Sequence, residues 1–422
     1  GPMTLYVLFD EILTDNQVDF LRMDCANAIR FDLGGGVHKL QLFEVYTMKY
    51  VQLTAIGGPC EVQHVGMVEY KHPPVPRQIA APTPGLQKIA EAAVETFRQN
   101  AVDIFMDCPS RERAGWLCDS FFSGRTEYCL TGGSVIEKSF LENFLHEDSY
   151  EFLPEGMFPM CYPADHYDHW FLPNWTLWLI LQLEEYQQRT GDRELIERFR
   201  EKLERLLRYF QSFENEDGLL EHLEGWVFVE WSKANELVQD VNYPSNMMYS
   251  AALRTLSRLY DRPDLAEKAD RIKATVLAQS FNGRFFVDNA VRRDGRLVSS
   301  GECTEVCQYY AFFCGIASPE THGELFQTLV EDFGPDRKKT GKWPEVYPAA
   351  PFIGNYLRLE ILQRYGYRDK VLDNIEGYFL HMAETTGTLW EHAEVTASCD
   401  HGFASHVLYW LDRLEKTAAQ EA

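Results

Sequence analysis

From residue 86 onward, apolar residues recur at three- and four-residue intervals in one segment after another, a period that a helical architecture satisfies. The clearest stretch is DRELIERFREKLERLLRYF (192–210). It places Leu195, Ile196, Phe199, Leu203, Leu206, Leu207 and Phe210 on one stripe, with Asp192 as N-cap. Twelve segments read this way: 86–100, 116–127, 134–146, 173–190, 193–212, 245–260, 263–280, 303–315, 322–333, 351–366, 368–382 and 401–416. Short and long connections alternate, so the segments pair into six helical hairpins. No regular sequence repeat accompanies them, which favours a closed (α/α)6 toroid of six inner and six outer helices over an open solenoid. The long loops, 101–115, 147–172, 213–244, 282–302, 334–350 and 383–400, are then expected to collect at one mouth, where function usually concentrates.

The preceding region has a different grain. Leu5–Phe9, Ala28–Leu33, His38–Phe43, Lys49–Ile56 and Cys60–Tyr70 are short, rich in Val, Ile, Tyr and Phe, and separated by glycine breaks; each is expected to be a strand. Five prolines between His72 and Gly85 mark a linker. The expected organisation is an N-terminal β segment over 1–71 (a small sheet or truncated sandwich), a linker over 72–85, and a mainly α barrel over 86–422. Gly1-Pro2 ahead of Met3 reads as a cleavage scar.

Charge narrows the choice of partners. With 64 acidic and 40 basic side chains the chain carries −24, which repels both a phosphate backbone and an anionic leaflet. Neither nucleic acid nor membrane is an expected partner. The longest apolar run, Trp175 to Leu183, is broken by Thr176 and Gln182. Ten irregularly spaced cysteines do not form a disulfide scaffold. Cys303 and Cys307 lie one turn apart with no second ligand pair, so buried thiols are expected there and no metal. This usage favours a reducing compartment such as the cytoplasm.

Chemistry concentrates in three acidic-aromatic stretches. DCPSRERAGWLCD (107–119) packs three carboxylates, two arginines and a tryptophan between apolar segments, and clustered carboxylates can keep one another protonated. TTGTLWEH (385–392), followed by CDHG (399–402), sets Glu391 beside Trp390. EGWVFVEWS (224–232) alternates tryptophans with Glu224 and Glu230. Aromatics interleaved with carboxylates suit sugars, whose rings offer apolar faces ringed by hydroxyls. Trp170, Trp175 and Trp178, at a helix start, are expected in the core.

The motif at 107–119 resembles the signature of glycoside hydrolase family 78, the α-L-rhamnosidases. MCYPADHYDHWFLPNW (160–175), VEWSKAN (229–235), TEVCQYYAFF (304–313) and TTGTLWEHAE (385–394) carry the resemblance through the helical region. It implies an (α/α)6 barrel and an inverting exo-hydrolase of carbohydrate substrates, without cofactor and with no metal in the chemical step. Glu112 would be the general acid and Glu391 the general base. Asp107, Arg111 and Asp119 would hold sugar hydroxyls, Trp116 and Trp390 would shape the pocket, and His401 would follow the base. Glu230 and Trp231 complete the expected substrate contacts.

Inversion needs the two carboxylates about 6.5–9.5 Å apart, with room for a water. Arg111 and Arg113 flank Glu112, and a neighbouring cation opposes its protonation. Both are therefore expected to turn away or to pair with Asp107 and Asp119. Two alternatives share the scaffold: a phosphorylase, disfavoured because Glu391 has no basic cluster beside it in sequence, and a non-catalytic sugar binder.

Overall fold

The computed structural model describes residues 2–163, 169–350 and 353–421. Ala164–Asp168, inside the MCYPADHYDHWFLPNW stretch, and residues 351–352, at the start of one expected helix, lie outside the described residues.

The chain opens with strands β1 (Met3–Asp10), β2 (Ala28–Leu33) and β3 (Tyr50–Ile56). They form one antiparallel sheet with β1 central, pairing Leu5 with Phe31 and Val7 with Leu53. The expected strands His38–Phe43 and Cys60–Tyr70 do not form. Both segments are extended, mostly solvent-exposed coil; Phe43 is fully exposed and Val68 is 88% exposed. β-branched composition makes a strand only where a neighbouring edge or a buried face receives it, and neither segment has one.

Every expected helix is present. In chain order they are α1 (Pro84–Asn100), α2 (Leu117–Thr131), α3 (Val135–Asn143), α4 (Pro173–Thr190), α5 (Arg193–Gln211), α6 (Tyr243–Tyr260), α7 (Pro263–Ser280), α8 (Glu305–Phe313) and α9 (Gly323–Glu331). A single turn, α10 (Arg337–Thr340), precedes α11 (Ile353–Arg364), α12 (Arg368–Thr385) and α13 (Val407–Glu421). Helices α2, α4, α6, α8, α11 and α13 pack in succession, and α13, with the 3-10 turn Gly402–His406 ahead of it, returns to α2. The ring is closed, and the fold is an (α/α)6 toroid.

Sequence explains which helices line it. Helix α5 buries one stripe and keeps charged residues outside, as an outer helix does, whereas α2 is buried all round from Leu117 to Glu127. Among the described residues no helix is long and apolar enough to cross a membrane. Trp175 and Trp178 lie in the core as expected, but Trp170 is 54% exposed. The 282–302 connection contains a hairpin, β5 (Asn289–Arg293) and β6 (Arg296–Ser299), here numbered after the two-residue β4 (Val241–Asn242). Its turn is Asp294-Gly295, both residues at positive φ, the combination a tight two-residue hairpin turn requires.

Every long loop runs from an outer to an inner helix, so the inner helices all start at the same mouth. Their first N–H groups lie out of reach of water, and buried carboxyls satisfy several of them. Asp288 accepts from the Thr304 amide (2.7 Å) and hydroxyl (2.8 Å) at the start of α8. Glu230 accepts from Ala350 (3.1 Å) and Gly354 (3.0 Å) at the start of α11. At the outer α3, Glu127 accepts from Ile136 and Glu137. Burial nevertheless outweighs these donors and pushes Asp288, Glu230 and Glu127 each up to about 7.

An unfolded carboxyl ionises near pH 4, so these groups favour the native state fully below that pH and progressively less as pH rises through 7. The expected outcome is a melting temperature that falls between pH 5 and pH 8, with a shallower fall in Asp288→Asn, whose amide can still bond the Thr304 hydroxyl. Thermal melts of the two proteins across that range check it; identical slopes would contradict the burial account.

Candidate active site

The loop between α1 and α2 is folded on itself by Asp107. Its backbone N–H reaches the Ala114 carbonyl (2.9 Å), and its side chain accepts the Ala114 amide (2.8 Å) and the Cys108 thiol (2.8 Å). Arg113 turns the chain at φ 55°, and its amide bonds the Cys108 carbonyl. Glu112 is thereby lifted to the loop tip with its side chain 33% exposed. The Trp116 indole N–H, at the entry to α2, donates to Glu112 Oε2 at 2.9 Å.

The loop between α12 and the final inner helix supplies the facing group. Glu391 is nearly buried; its amide bonds the Ser398 carbonyl, and the His401 amide bonds that of Leu389. The two loops meet where the Gly402 amide donates to the Asp107 carbonyl at 2.6 Å. Only glycine fits there, because an added Cβ would collide with the Met106 carbonyl.

Arg111 joins the two candidate glutamates. Its Nη2 lies 3.3 Å from Glu112 Oε1 and 3.3 Å from Glu391 Oε2, so those two oxygens are at most about 6.6 Å apart, twice that distance. The expectation that both arginines avoid Glu112 holds only for Arg113, which reaches out to Glu44 and the Val45 carbonyl and lies over the Tyr46 ring. Arg111 fails it because two carboxylates at the mouth, one of them nearly buried, attract the nearest guanidinium. Nor do Asp107 and Asp119 take up the arginines: Asp107 is closed into its own loop, and Asp119 accepts from His401 Nε2 at 3.0 Å.

Electrostatics around Glu391 favour its anion. Burial opposes ionisation, but the hydrogen bond from His392 and the charges of His401, His392 and Arg111 overcome it and hold Glu391 at about 2. His392 Nε2 is 3.4 Å from Glu391 Oε1, and His401 Nδ1 is 3.8 Å from Oε2. For His401 burial works against the cation, yet the Asp119 hydrogen bond and the charges of Glu391, Asp119 and Asp107 raise its pKa above the usual imidazole value. Asp107 is pushed up to about 7, by burial first and by the charge of Glu112 second. Burial also raises Asp119.

The structure thus brings Asp107, Arg111, Glu112, Trp116, Asp119, Glu391 and His401 into one cluster. Trp231 borders it, its ring 6.2 Å from that of His392. Glu230, expected as a substrate contact, is fully buried and bonds amides at the start of α11, so the structure gives it a capping role. Trp390 is also buried, with its indole N–H on the Thr386 hydroxyl and its ring edge-on to His381; it supports the loop from behind. Asp107, Cys108 and His401 hold potential metal-donor atoms within 4.8 Å of one another, but the thiol and Nε2 are engaged with Asp107 and Asp119. Cys303 and Cys307 are buried, their thiols facing the Gly301 and Val287 carbonyls.

Sequence reasoning missed His392, although it adjoins Glu391. It also missed Ser110 and Ser398, whose hydroxyls lie 3.4 Å apart across the two loops.

Comparison with known proteins bears on the fold that carries this site. No curated protein sequence matches the chain. Among solved structures, a glycoside hydrolase family 78 rhamnosidase of Bacillus sp. GL1 superposes with a TM-score of 0.84 at 20% identity, covering 97% of this chain and 43% of that one. A rhamnosidase from Klebsiella oxytoca with rhamnose bound gives 0.72 at 17% identity, covering 99% and 82%. An α-L-rhamnosidase of Streptomyces avermitilis complexed with L-rhamnose gives 0.67 at 15%, covering 97% and 40%. The chain therefore spans less than half the length of the Bacillus and Streptomyces proteins, and the likeness to all three shows the shared fold. The family model of the bacterial α-L-rhamnosidase six-hairpin glycosidase domain matches residues 78–414. Carrying that match over most of its length, the chain belongs to the bacterial α-L-rhamnosidase six-hairpin glycosidase family.

Proposed function

We propose that the protein is an exo-acting, inverting glycoside hydrolase that releases terminal α-L-rhamnosyl groups, with Glu112 as general acid and Glu391 as general base. The observation that carries this reading is the pair of glutamates facing each other at the barrel mouth through one arginine nitrogen. The two differ in environment as the two roles require. Glu391 sits in a pocket of cationic partners that keeps it ionised, ready to take a proton from water. Glu112 is partly exposed at a loop tip, where it can meet a leaving-group oxygen. An entering sugar takes over the donors of Arg111 with its hydroxyls, and this frees Glu112 from its cation. Glu112 Oε1 and Glu391 Oε2 are at most about 6.6 Å apart, so this pair reaches no further than the lower end of the roughly 6.5–9.5 Å window at which an inverting pair admits a water.

The half-exposed rings of Trp116 and Trp231 offer an apolar wall to the C6 methyl of rhamnose. A hexose bearing a C6 hydroxyl should be disfavoured by about 1–3 kcal/mol, the usual worth of one group in a pocket.

Release of p-nitrophenol from its α-L-rhamnoside is the primary test. Glu112→Gln and Glu391→Gln should each lower kcat by roughly 10²–10⁴, the usual share of general acid–base catalysis. Proton NMR of the first-formed sugar should show the β anomer; the α anomer would exclude inversion.

Glu391 held at about 2 places the acid limb of kcat/KM at strongly acidic pH, since activity is lost only as the base protonates. His392→Ala removes a hydrogen bond and a charge that stabilise the anion, so the limb should move to higher pH. Initial rates between pH 3 and 7 check this, and an unmoved limb would separate Glu391 from that titration.

The phosphorylase alternative gains one observation, because the fold gathers Arg111, His392 and His401 around Glu391 where the sequence showed no basic cluster. All three face carboxylates, which leaves an incoming phosphate no uncompensated charge. Added inorganic phosphate should leave the product as free sugar; a sugar 1-phosphate would reverse this assignment.

A further inference from the structure

We propose that the segment following β1 contributes one residue to the catalytic arrangement: Glu11, held by Arg22, is a positioning residue that sets the spacing between the loops carrying Glu112 and Glu391. The inference rests on the acid–base reading of those two glutamates.

Glu11 follows directly on β1 and is buried against the barrel mouth. Its Oε2 accepts the Cys399 amide at 2.8 Å and its Oε1 the Ser398 hydroxyl at 3.4 Å. The Ser398 hydroxyl in turn lies 3.4 Å from the Ser110 hydroxyl on the facing loop, and Ser110 is close enough to favour the Glu11 anion. Ser110 lies two residues before Glu112, and the Ser398 carbonyl accepts the Glu391 amide at 3.1 Å. One carboxylate thus bonds the Glu391 loop directly and reaches the Glu112 loop through the Ser398 and Ser110 hydroxyls.

Arg22 anchors the arrangement. It donates to the Val395 and Ala397 carbonyls at 2.7 Å each, to Glu11 at 2.9 Å, and to Asp10 through Nε (2.8 Å) and Nη2 (2.7 Å). The fork ties Val395 and Ala397 to the end of the sheet, while α12 holds the same stretch, among the described residues, only at Ala393, through His381. Such a tie matters because a pair of carboxylates acting across one sugar tolerates little displacement; an error near 1 Å can cost about 10²-fold in rate. The barrel alone does little to supply it, since between Glu391 and Ser398 the chain is irregular, with residues 394–396 exposed and Ala393 and Ala397 only partly buried.

The test compares Glu11→Ala, Glu11→Gln and Leu5→Ala on p-nitrophenyl α-L-rhamnoside, with kcat expressed per folded molecule. Glu11→Ala should lower kcat by roughly 30–300-fold with KM within about threefold, the signature of misplaced catalytic groups. The acid limb of kcat/KM should also rise in pH, because Glu391 loses its fixed place against His392 and Arg111. Glu11→Gln should recover most of the rate, its amide oxygen still accepting the Cys399 N–H. Leu5→Ala, a change in the β1 core, should lower the melting temperature and leave both kcat and the pH profile in place. Wild-type kcat and pH profile in folded Glu11→Ala would overturn the proposal. If that variant does not fold, the double variant Ser110→Ala/Ser398→Ala decides, and an unchanged kcat there is equally fatal. Full activity in Glu391→Gln would instead refute the acid–base reading on which this inference stands.

Discussion

Closing six helices into an inner ring imposes a constraint on everything else in the molecule. Each inner helix begins at the same mouth, with its first residues buried and its first amides aimed out of that end beneath the long loops. Those amides carry partial positive charge and favour carboxylates nearby. The acidic groups at this end meet that need: Asp288 at α8, Glu230 at α11, and Asp119 in the first turn of α2. The same concentration of negative charge draws in Arg111, His392 and His401. Structural capping and candidate chemistry therefore occupy one end of the barrel for a common electrostatic reason.

Within that end, burial separates roles that look alike in sequence. Glu230, flanked by two aromatics and a serine, has the appearance of a sugar contact, yet both of its oxygens are taken by backbone amides. Glu391 is almost as buried but faces two imidazoles and a guanidinium, and it stays ionised. Glu112 has Trp116 and Arg111 as partners and keeps a third of its side chain in solvent. The difference lies in what each carboxylate meets, since the residue types are the same.

The N-terminal sheet has the opposite history. Its three strands are regular, but residues 34–45 and 57–70 are coil open to solvent, whereas the turn between β1 and β2 packs inward. Its tightest attachment to the barrel is the Asp10–Glu11–Arg22 cluster at the end of β1, against the loop that follows Glu391. A short sheet buries too little apolar surface to fix its own position. Buried charge-assisted hydrogen bonds, which are directional, hold the two loops in register with it.

Periodicity made the helical part legible. Apolar spacing over stretches such as 193–211 is set by local geometry, so all twelve long helices and the ring they build could be read before any coordinates. The candidates Glu112 and Glu391 each came from a short motif of fixed spacing, and the fold sets both against Arg111. The strands expected at 38–43 and 60–70 were misread, since strand formation depends on a partner edge that composition does not reveal. The bridge from Arg111, the capping role of Glu230 and the reach of Glu11 to Ser398 were beyond sequence for a related reason. Each joins residues far apart in the chain or depends on whether water is excluded. Local sequence determined which elements form and which side chains are on offer; only the closing of the ring decided which of those side chains meet, and in what dielectric.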